Sequence, residues 1–136
     1  YLTTLLSSPE GAFYTSQDAD VGSHDEKARF VDGDVYYRLG DSERRKLGMP
    51  RIDENVYAYE NGLAITALCA LHEASPDAEV LARAVRAAEF IVRGHLDENG
   101  MFRHDAKSSS NVRYLADSAA FGLAMMHLHR VTNDVV

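Results

Sequence analysis

The chain has 136 residues and carries 21 acidic against 14 basic side chains, which gives a formal net charge of -7. This balance argues against nucleic-acid binding, because no basic stripe is present to neutralise phosphates. It also contains no apolar run that approaches the roughly 20 residues needed to cross a bilayer, so we expect no membrane partner.

The first residues, "YLTTLLSS", read as the last turns of a helix over about residues 1–8, and we therefore expect the natural chain to be longer. The stretch "GAFYTSQDAD" follows. Within it, Phe13 and Tyr14 predict a short strand, and two carboxylates, Asp18 and Asp20, come directly afterwards.

Residues 9–58 are the least regular part of the sequence, and we expect a loop-rich rim segment there. Within it, "SERRKLG" predicts a short helix and "DGDVYYRL" predicts a strand or a turn. The stretch "GMPRIDENVYAY" is predicted to be extended, because Pro50 disfavours helix at Met49.

Three longer helices are predicted next, at residues 60–74, 78–95 and 115–131. The first and third are apolar on nearly every face, which is typical of a helix buried all round. The second alternates apolar and charged side chains at helical spacing, which indicates an amphipathic surface helix. Before the third helix, "MFRHD" and "NVRYL" predict a short β-hairpin.

Local signals predict where these helices begin and end. Pro76 ends the first helix, and either Ser75 or Asp77 is placed to cap the second. Gly100, in "DENG", suits a turn that needs a positive φ angle.

A weak internal repeat with an offset of 57 residues relates the first and third of these helices. The paired positions are Tyr57 and Tyr114, Glu60 and Asp117, Ala67 and Ala124, Leu71 and Leu128, and Asp77 and Asp134. A period of this size is typical of stacked helical hairpins. We therefore predict one mainly all-α domain over 1–136, an α/α-hairpin array with short β-hairpin excursions whose helical repeat spans 59–136.

The single cysteine, Cys69, lies in an apolar helical run and cannot form an internal disulfide. A thiol in such a place behaves as a small hydrophobic side chain. A single cysteine without a disulfide partner in the chain fits a reducing, cytoplasmic location.

No metal site and no cofactor are predicted. "DADVGSHDE" begins like a calcium loop, but its glycine comes one position early and Arg29 stands where the bidentate glutamate belongs. His127 and His129 are two residues apart on a helix and point apart. We expect the histidines to be packing or surface residues.

Three segments together resemble a known family: "GAFYTSQDAD", "PRIDENVYAYENGLAITAL" and "FRHD…YLADSAAFGLAMMHLHRVTND". They are similar, in the same order, to the YyaL-type, or spermatogenesis-associated thioredoxin-domain, proteins. Those proteins combine a thioredoxin-like domain with an (α/α)6 toroid of the six-hairpin glycosidase type. This chain departs from the family pattern at Asn55 and Glu60, where the family has lysine and tryptophan, and around Asp117.

The resemblance implies a fragment of a six-hairpin glycosidase-like domain with an acidic rim pocket for carbohydrate binding or processing. Any activity would be glycosidase-like or epimerase-like, with a pair of carboxylates acting as acid and base. In a toroid the starts of the inner helices open onto one rim, where long loops gather. The candidate catalytic residues are Asp18, Asp20, Glu60 and Asp117.

Aromatic and amide side chains near these acids are the candidate substrate-binding residues. Tyrosine rings offer faces for stacking on a sugar and hydroxyls for hydrogen bonds. The predicted set is Tyr14, Gln17, Asp53, Tyr57, Tyr59, Asn61 and Tyr114.

Two structural alternatives stay open. Glu60 and Asp117 fall in first helical turns, where an acid caps free N–H groups without any further function. Asp18 and Asp20 can likewise be turn formers. The chain would then be a non-catalytic helical scaffold or interaction module associated with a thioredoxin-like domain. In both readings, bare apolar helix faces predict a homo-oligomer or cover by a missing remainder of the toroid.

Overall fold

The computed structural model describes residues 1–133. The chain is mainly helical, with 51% of its residues in helices and one sheet of two strands in the described part, so the mainly all-α class is confirmed. It divides into two compact units, one formed by Tyr1–Thr15 with Asn55–Val136 and the other by Ser16–Glu54. The prediction of one domain stays a prediction, and Asp134 of the repeat lies outside the described residues.

The described residues form six helices and two strands. In chain order these are α1 (Leu2–Leu5), β1 (Ser16–Gln17), α2 (Gly33–Tyr36), α3 (Asp41–Leu47), β2 (Ile52–Asp53), α4 (Ala58–Ala74), α5 (Ala78–His95) and α6 (Leu115–Thr132).

In the first unit, α4 and α5 form a helical hairpin joined by a very short link. Asp77 is the residue that caps α5, since its Oδ1 accepts hydrogen bonds from the backbone N–H groups of Glu79 (2.8 Å) and Val80 (3.3 Å). One side of α5, which includes Ala84 and Ile91, is fully buried, and the predicted amphipathic helix is confirmed.

Helices α4 and α6 lie side by side and run parallel. At their starts the N–H of Tyr59 donates to Asp117 Oδ1 over 3.1 Å, and at their ends Arg130 Nε donates to Glu73 Oε1 over 2.7 Å. Between these points Gly62 lies against the backbone of Ala120. Matching ends therefore meet, and the first turns of both helices open on the same side of the unit.

The prediction that 60–74 and 115–131 are buried all round is wrong for one face of each helix. On α4, Leu63 is 48% exposed and Leu71 is 51% exposed. On α6, Leu115 is 79% exposed and Met126 is 70% exposed. The reason is that α5 and α6 pack on α4, and α4 packs on α6, while no described element covers the remaining face of either helix.

The connection from α5 to α6, residues 96–114, contains no strand among the described residues, so the predicted hairpin is wrong. Its backbone bonds to the helices instead. Arg103 N–H donates to the His95 carbonyl, the His104 carbonyl accepts from Ala58 N–H, and Ser118 Oγ accepts from Phe102 N–H. Gly100 has a φ of 77°, as its turn requires.

The predicted strand at Phe13 and Tyr14 is also absent, and Phe13 makes only an isolated bridge with Ser7. The main chain at Phe13 bonds to the side chain of Asn61 on α4, which takes the place of a neighbouring strand.

The second unit contains β1 and β2, which pair antiparallel with Ser16 opposite Asp53. The short helix predicted from "SERRKLG" is confirmed as α3. In contrast, "DGDVYYRL" begins with helix α2 rather than a strand, because Asp32 caps it by accepting a hydrogen bond from the N–H of Asp34 over 2.8 Å.

Candidate functional site

A buried aspartate and a partly exposed histidine form a hydrogen-bonded pair in the first unit. Asp117, in the first turn of α6, is almost fully buried, with 1% of its side chain exposed. Its Oδ1 lies 2.9 Å from Nδ1 of His104 and also accepts the N–H of Tyr59. Asp117 therefore caps the neighbouring helix α4, not its own helix, and holds a histidine at the same time.

Two tyrosines hold the ring of His104. The Tyr57 ring stacks on it with centroids 4.2 Å apart and planes inclined by 22°. The Tyr114 ring meets it edge to face with centroids 5.6 Å apart. Tyr57 and Tyr114 precede the first residues of α4 and α6 and are equivalent in the 57-residue repeat. The repeat thus places two matching aromatic residues around one imidazole.

A cavity of about 200 Å³ opens beside this ring. Its lining combines aromatic faces with charged and hydroxyl groups from the α5–α6 connection. The lining residues are Tyr57, Arg103, His104, Asp105, Ser108, Ser110, Val112 and Tyr114. About a third of the His104 side chain is exposed, so a small polar ligand in the cavity can reach the ring.

The pair has a definite chemical consequence. A carboxylate only accepts hydrogen bonds, so an ionised Asp117 requires the hydrogen on Nδ1 of His104. The neutral ring then carries its lone pair on Nε2, where it can accept a hydrogen bond or a proton. The Oδ2 atom of Asp117 is buried and has no hydrogen-bond partner among the described residues.

His104 was assigned to packing or surface roles from the sequence, and that assignment missed this site. The signal was the segment "FRHD", which supplied part of the family resemblance but was interpreted as a strand. Since the His104 backbone bonds to the start of α4, its side chain is carried to Asp117, 13 residues further along the chain.

The other predicted residues of the first unit have different surroundings. Glu60 lies in the first turn of α4, and its Oε2 is buried without a partner among the residues described. Asn61 is fully buried, and its amide bonds to both backbone groups of Phe13 and to the carbonyl of Tyr57. Asn61 therefore has a structural task, and its role in substrate binding stays a prediction.

The two remaining tyrosines on the predicted list also belong to the first unit. Tyr59 is partly exposed in the first turn of α4 and contributes its backbone N–H to Asp117. Tyr14 is half-buried, and its backbone N–H donates to the Leu6 carbonyl.

In the second unit, Asp18 and Asp20 are held by contacts within that unit. The Oδ2 of Asp18 lies 3.1 Å from Arg51 Nε and 3.1 Å from His24 Nε2. The Oδ1 of Asp20 accepts the Gly33 N–H over 2.7 Å, which joins two segments 13 residues apart and is not a local turn contact. Their catalytic roles stay predictions.

The other two predicted residues of the second unit lie on its small sheet. Gln17, on β1, donates from Nε2 to the Pro50 carbonyl over 3.1 Å. Asp53, on β2, is half-buried and pairs with Ser16 across the sheet.

A larger cavity of about 630 Å³ lies along the α5–α6 connection and shares Arg103 with the smaller one. An ion pair in its lining joins Arg113 Nε to Asp97 Oδ2 over 2.8 Å. This hydrogen bond, supported by the N–H groups of Met101 and Asn99, holds the pKa of Asp97 below its usual value.

The remaining observations concern the cysteine, metal binding and membrane-spanning helices. Cys69 is fully buried, and burial raises the pKa of its thiol, as expected for a packing residue. Among the described residues, no three His, Cys, Asp or Glu side chains cluster closely enough to hold a metal ion. Within the same residues, each helix is too short or too polar to cross a membrane. The cytoplasmic location stays a prediction.

No protein-family model matches the chain, and comparisons with curated proteins and with solved structures likewise return no match.

Proposed function

We propose that the cavity beside His104 binds a carbohydrate or a similar polyhydroxylated small molecule. The observation that carries this proposal is the imidazole held by Asp117 between two tyrosine rings at the edge of a cavity. Aromatic faces pack against the apolar C–H surface of a sugar ring, while fixed charged groups bond to its hydroxyls. Both kinds of group line this cavity.

The proposal gives the residues distinct roles. Tyr114, whose side chain is largely exposed, supplies the stacking face, and Arg103 and Asp105 bond to hydroxyls. His104 Nε2 accepts a hydroxyl hydrogen, and in a glycosidase-like or epimerase-like reaction it is the group that moves a proton. Asp117 orients this ring. This orienting role of Asp117 replaces the direct acid or base role that the sequence led us to expect for it.

We further propose that α4, α5 and α6 belong to an α/α toroid of the six-hairpin glycosidase type. Support comes from the parallel course of α4 and α6, from the antiparallel outer position of amphipathic α5, and from the loop-rich connection at the starts of α4 and α6. In such an array the inner helices run parallel and the ligand lies at their common end.

The test is a titration of the 136-residue protein with a panel of neutral and acidic monosaccharides, followed through the imidazole NMR signals. A ligand should shift the His104 signals saturably at millimolar concentration and leave His72, at the far end of α4, unchanged. Tyr114→Leu should weaken binding by about fivefold, since a stacked ring contributes about 1 kcal/mol.

The matched control is Val112→Ala, which alters an exposed cavity residue that lacks a ring. It should retain the affinity within about twofold, because the two methyl groups removed belong to an exposed side chain and offer little contact area. The absence of any saturable His104 shift with every sugar of the panel would contradict the proposal.

A second function, a non-catalytic helical interaction module, is favoured by the exposed apolar side chains of α4 and α6. This proposal is compatible with a thioredoxin-like partner and needs no ligand in the cavity. It expects the sugar titration to be silent while the helix faces still bind protein.

A further inference from the structure

The first residues of α4 and α6 are separated by the same 57 residues as the sequence repeat. Helix α4 begins at Ala58 and α6 begins at Leu115, and each is preceded by a tyrosine. Each position on α4 therefore has an equivalent on α6, and the surroundings of equivalent positions can be compared directly.

The face of α4 that receives α6 is mostly apolar and buried, with Tyr59 partly exposed and Thr66 as its polar member. It includes Gly62, which lies against Ala120, and Cys69. The charge of Arg130, at the end of α6, is close enough to Cys69 to act on the pKa of its thiol, in the lowering direction. The equivalent positions on α6 are exposed and nearly all apolar. They are Leu115, Ala116, Ala119, Gly122, Leu123 and Met126.

The converse also holds. The face that α6 presents to α4 contains Phe121, Ala124 and Leu128, all fully buried. The equivalent positions on α4 carry apolar side chains that are partly or largely exposed. Together with their neighbours, they are Leu63, Ala64, Ala67, Ala70, Leu71 and Ala74. We call these exposed sets the free face of α6 and the free face of α4. Each is equivalent, by the repeat, to a face of the other helix that is already packed inside the chain.

Polar groups at the helix starts follow the same relationship. Asp117 accepts the Tyr59 N–H at the start of α4. Its equivalent on α4 is Glu60, whose Oε2 is buried without a partner among the described residues. The equivalent of the Tyr59 N–H is that of Ala116, at the start of α6, where no described side chain caps the helix. Glu60 thus stands at the start of α4 where Asp117 stands at the start of α6, and within the described chain the start of α6 has no equivalent of the Asp117 cap.

We infer that the chain self-associates head to tail, with the free face of α6 in one copy packed on the free face of α4 in the next. The second copy repeats the α4–α6 interface within the chain, with the helices parallel and the Glu60 carboxylate, once rotated out of its buried position, accepting the N–H of Ala116. Because this contact would continue the α4–α6 packing that already exists inside the chain, a second copy is the partner that fits the exposed faces. Because Ala119 meets Leu63 where Gly62 meets Ala120, the helix pair between copies lies slightly further apart.

The interface is heterologous, so each copy offers one face of each kind. Such contacts extend to a ring or an open chain, and the mass in solution should rise with concentration beyond a dimer. This distinguishes the proposal from a two-fold dimer, in which one face pairs with itself.

The test measures mass by light scattering and analytical ultracentrifugation across a concentration series of the 136-residue protein. Met126→Glu blocks the α6 face and Leu71→Glu blocks the α4 face. Each should weaken association by at least about 100-fold, because an unpaired carboxylate is buried in an apolar contact. Val112→Glu adds the same charge at an exposed loop position and should assemble like the original protein.

Mixing the two blocked variants is the decisive step. The Leu71→Glu copy keeps its α6 face and the Met126→Glu copy keeps its α4 face, so the mixture should form a one-to-one dimer and stop there. Circular dichroism of each variant shows that it is folded, which is expected because both side chains are largely exposed. Leu63→Glu is a second α4-face variant in case Leu71→Glu unfolds.

Three results would overturn the inference. The original protein could remain monomeric at millimolar concentration, which would mean that another protein or a further chain segment covers these faces. One blocked variant could still form dimers alone, which would indicate a face that pairs with itself. The mixture of folded variants could fail to form the mixed dimer.

Discussion

Asp117 on α6 accepts the backbone N–H of Tyr59 on α4 over 3.1 Å, so one helix is capped by the side chain of its parallel neighbour. The same oxygen lies 2.9 Å from His104 Nδ1. The contact that aligns the two helix starts is therefore also the contact that orients the imidazole. The fold and the candidate site share one buried carboxylate.

The close approach of α4 and α6 can be tested with two glycines. A Cβ added at Gly62 would lie 2.9 Å from the Ala120 carbonyl carbon, whereas one added at Gly122 meets nothing within 4 Å. Gly62→Ala should lower the free energy of unfolding by about 1–2 kcal/mol, because the helices must separate. Gly122→Ala should raise it by about 0.5–1 kcal/mol through helix propensity. Urea denaturation of dilute protein measures both. Equal effects at the two sites would contradict the packing.

Asn61 should be important for stability. Its amide bonds to both backbone groups of Phe13, and all these groups are buried. Asn61→Leu leaves the N–H and the carbonyl of Phe13 without partners, so we expect a loss of about 2–4 kcal/mol in the free energy of unfolding. The control Asn99→Leu, at an exposed position, should stay within about 0.5 kcal/mol. A stable Asn61→Leu protein would show that this anchor is dispensable.

The stability should fall in mild acid because of His95. Burial lowers the pKa of His95 in the folded protein, while its Nδ1 is held by the Arg103 carbonyl and the nearby Asp105 and Asp117 oppose the shift. The unfolded chain, with a histidine pKa of about 6.5, then binds more protons than the folded chain below that pH. The free energy of unfolding therefore decreases as the pH falls from about 6.5 towards the folded pKa.

The measurement is a urea denaturation series from neutral to mildly acidic pH. His95→Gln should flatten this part of the profile, and the exposed His129→Gln should not. A profile that is identical in the original protein and in His95→Gln would contradict the assignment.

The helices could be predicted from the sequence because their signals are local. Apolar spacing, Pro76 and the Asp77 cap define α4 and α5 without reference to the rest of the chain. Local signals alone could not show whether the strands expected at 101–105 and 111–115 form. In the first of these segments, the backbone groups of Phe102, Arg103 and His104 bond to helix ends and to Ser118, and those contacts depend on tertiary packing.

The candidate site was predicted only in part for the same reason. Asp117, Tyr57 and Tyr114 were predicted because helix starts gather at one rim of a toroid, whereas His104 was not, since nothing in its neighbours along the chain indicates an aspartate 13 residues away. A run of apolar residues gives the same pattern whether its second face is covered or bare, so the sequence predicts both burial all round and, for a chain of few helices, bare apolar faces. On α4 and α6 that second face is bare.

The tautomer of His104 tests the central assignment most directly. Nitrogen NMR of the imidazole at a pH where the ring is neutral distinguishes a hydrogen on Nδ1 from one on Nε2. The buried carboxylate of Asp117 predicts the Nδ1–H form in the original protein and its loss in Asp117→Ala. A His104 ring that carries its hydrogen on Nε2, or whose signals do not respond to Asp117→Ala, would contradict the account.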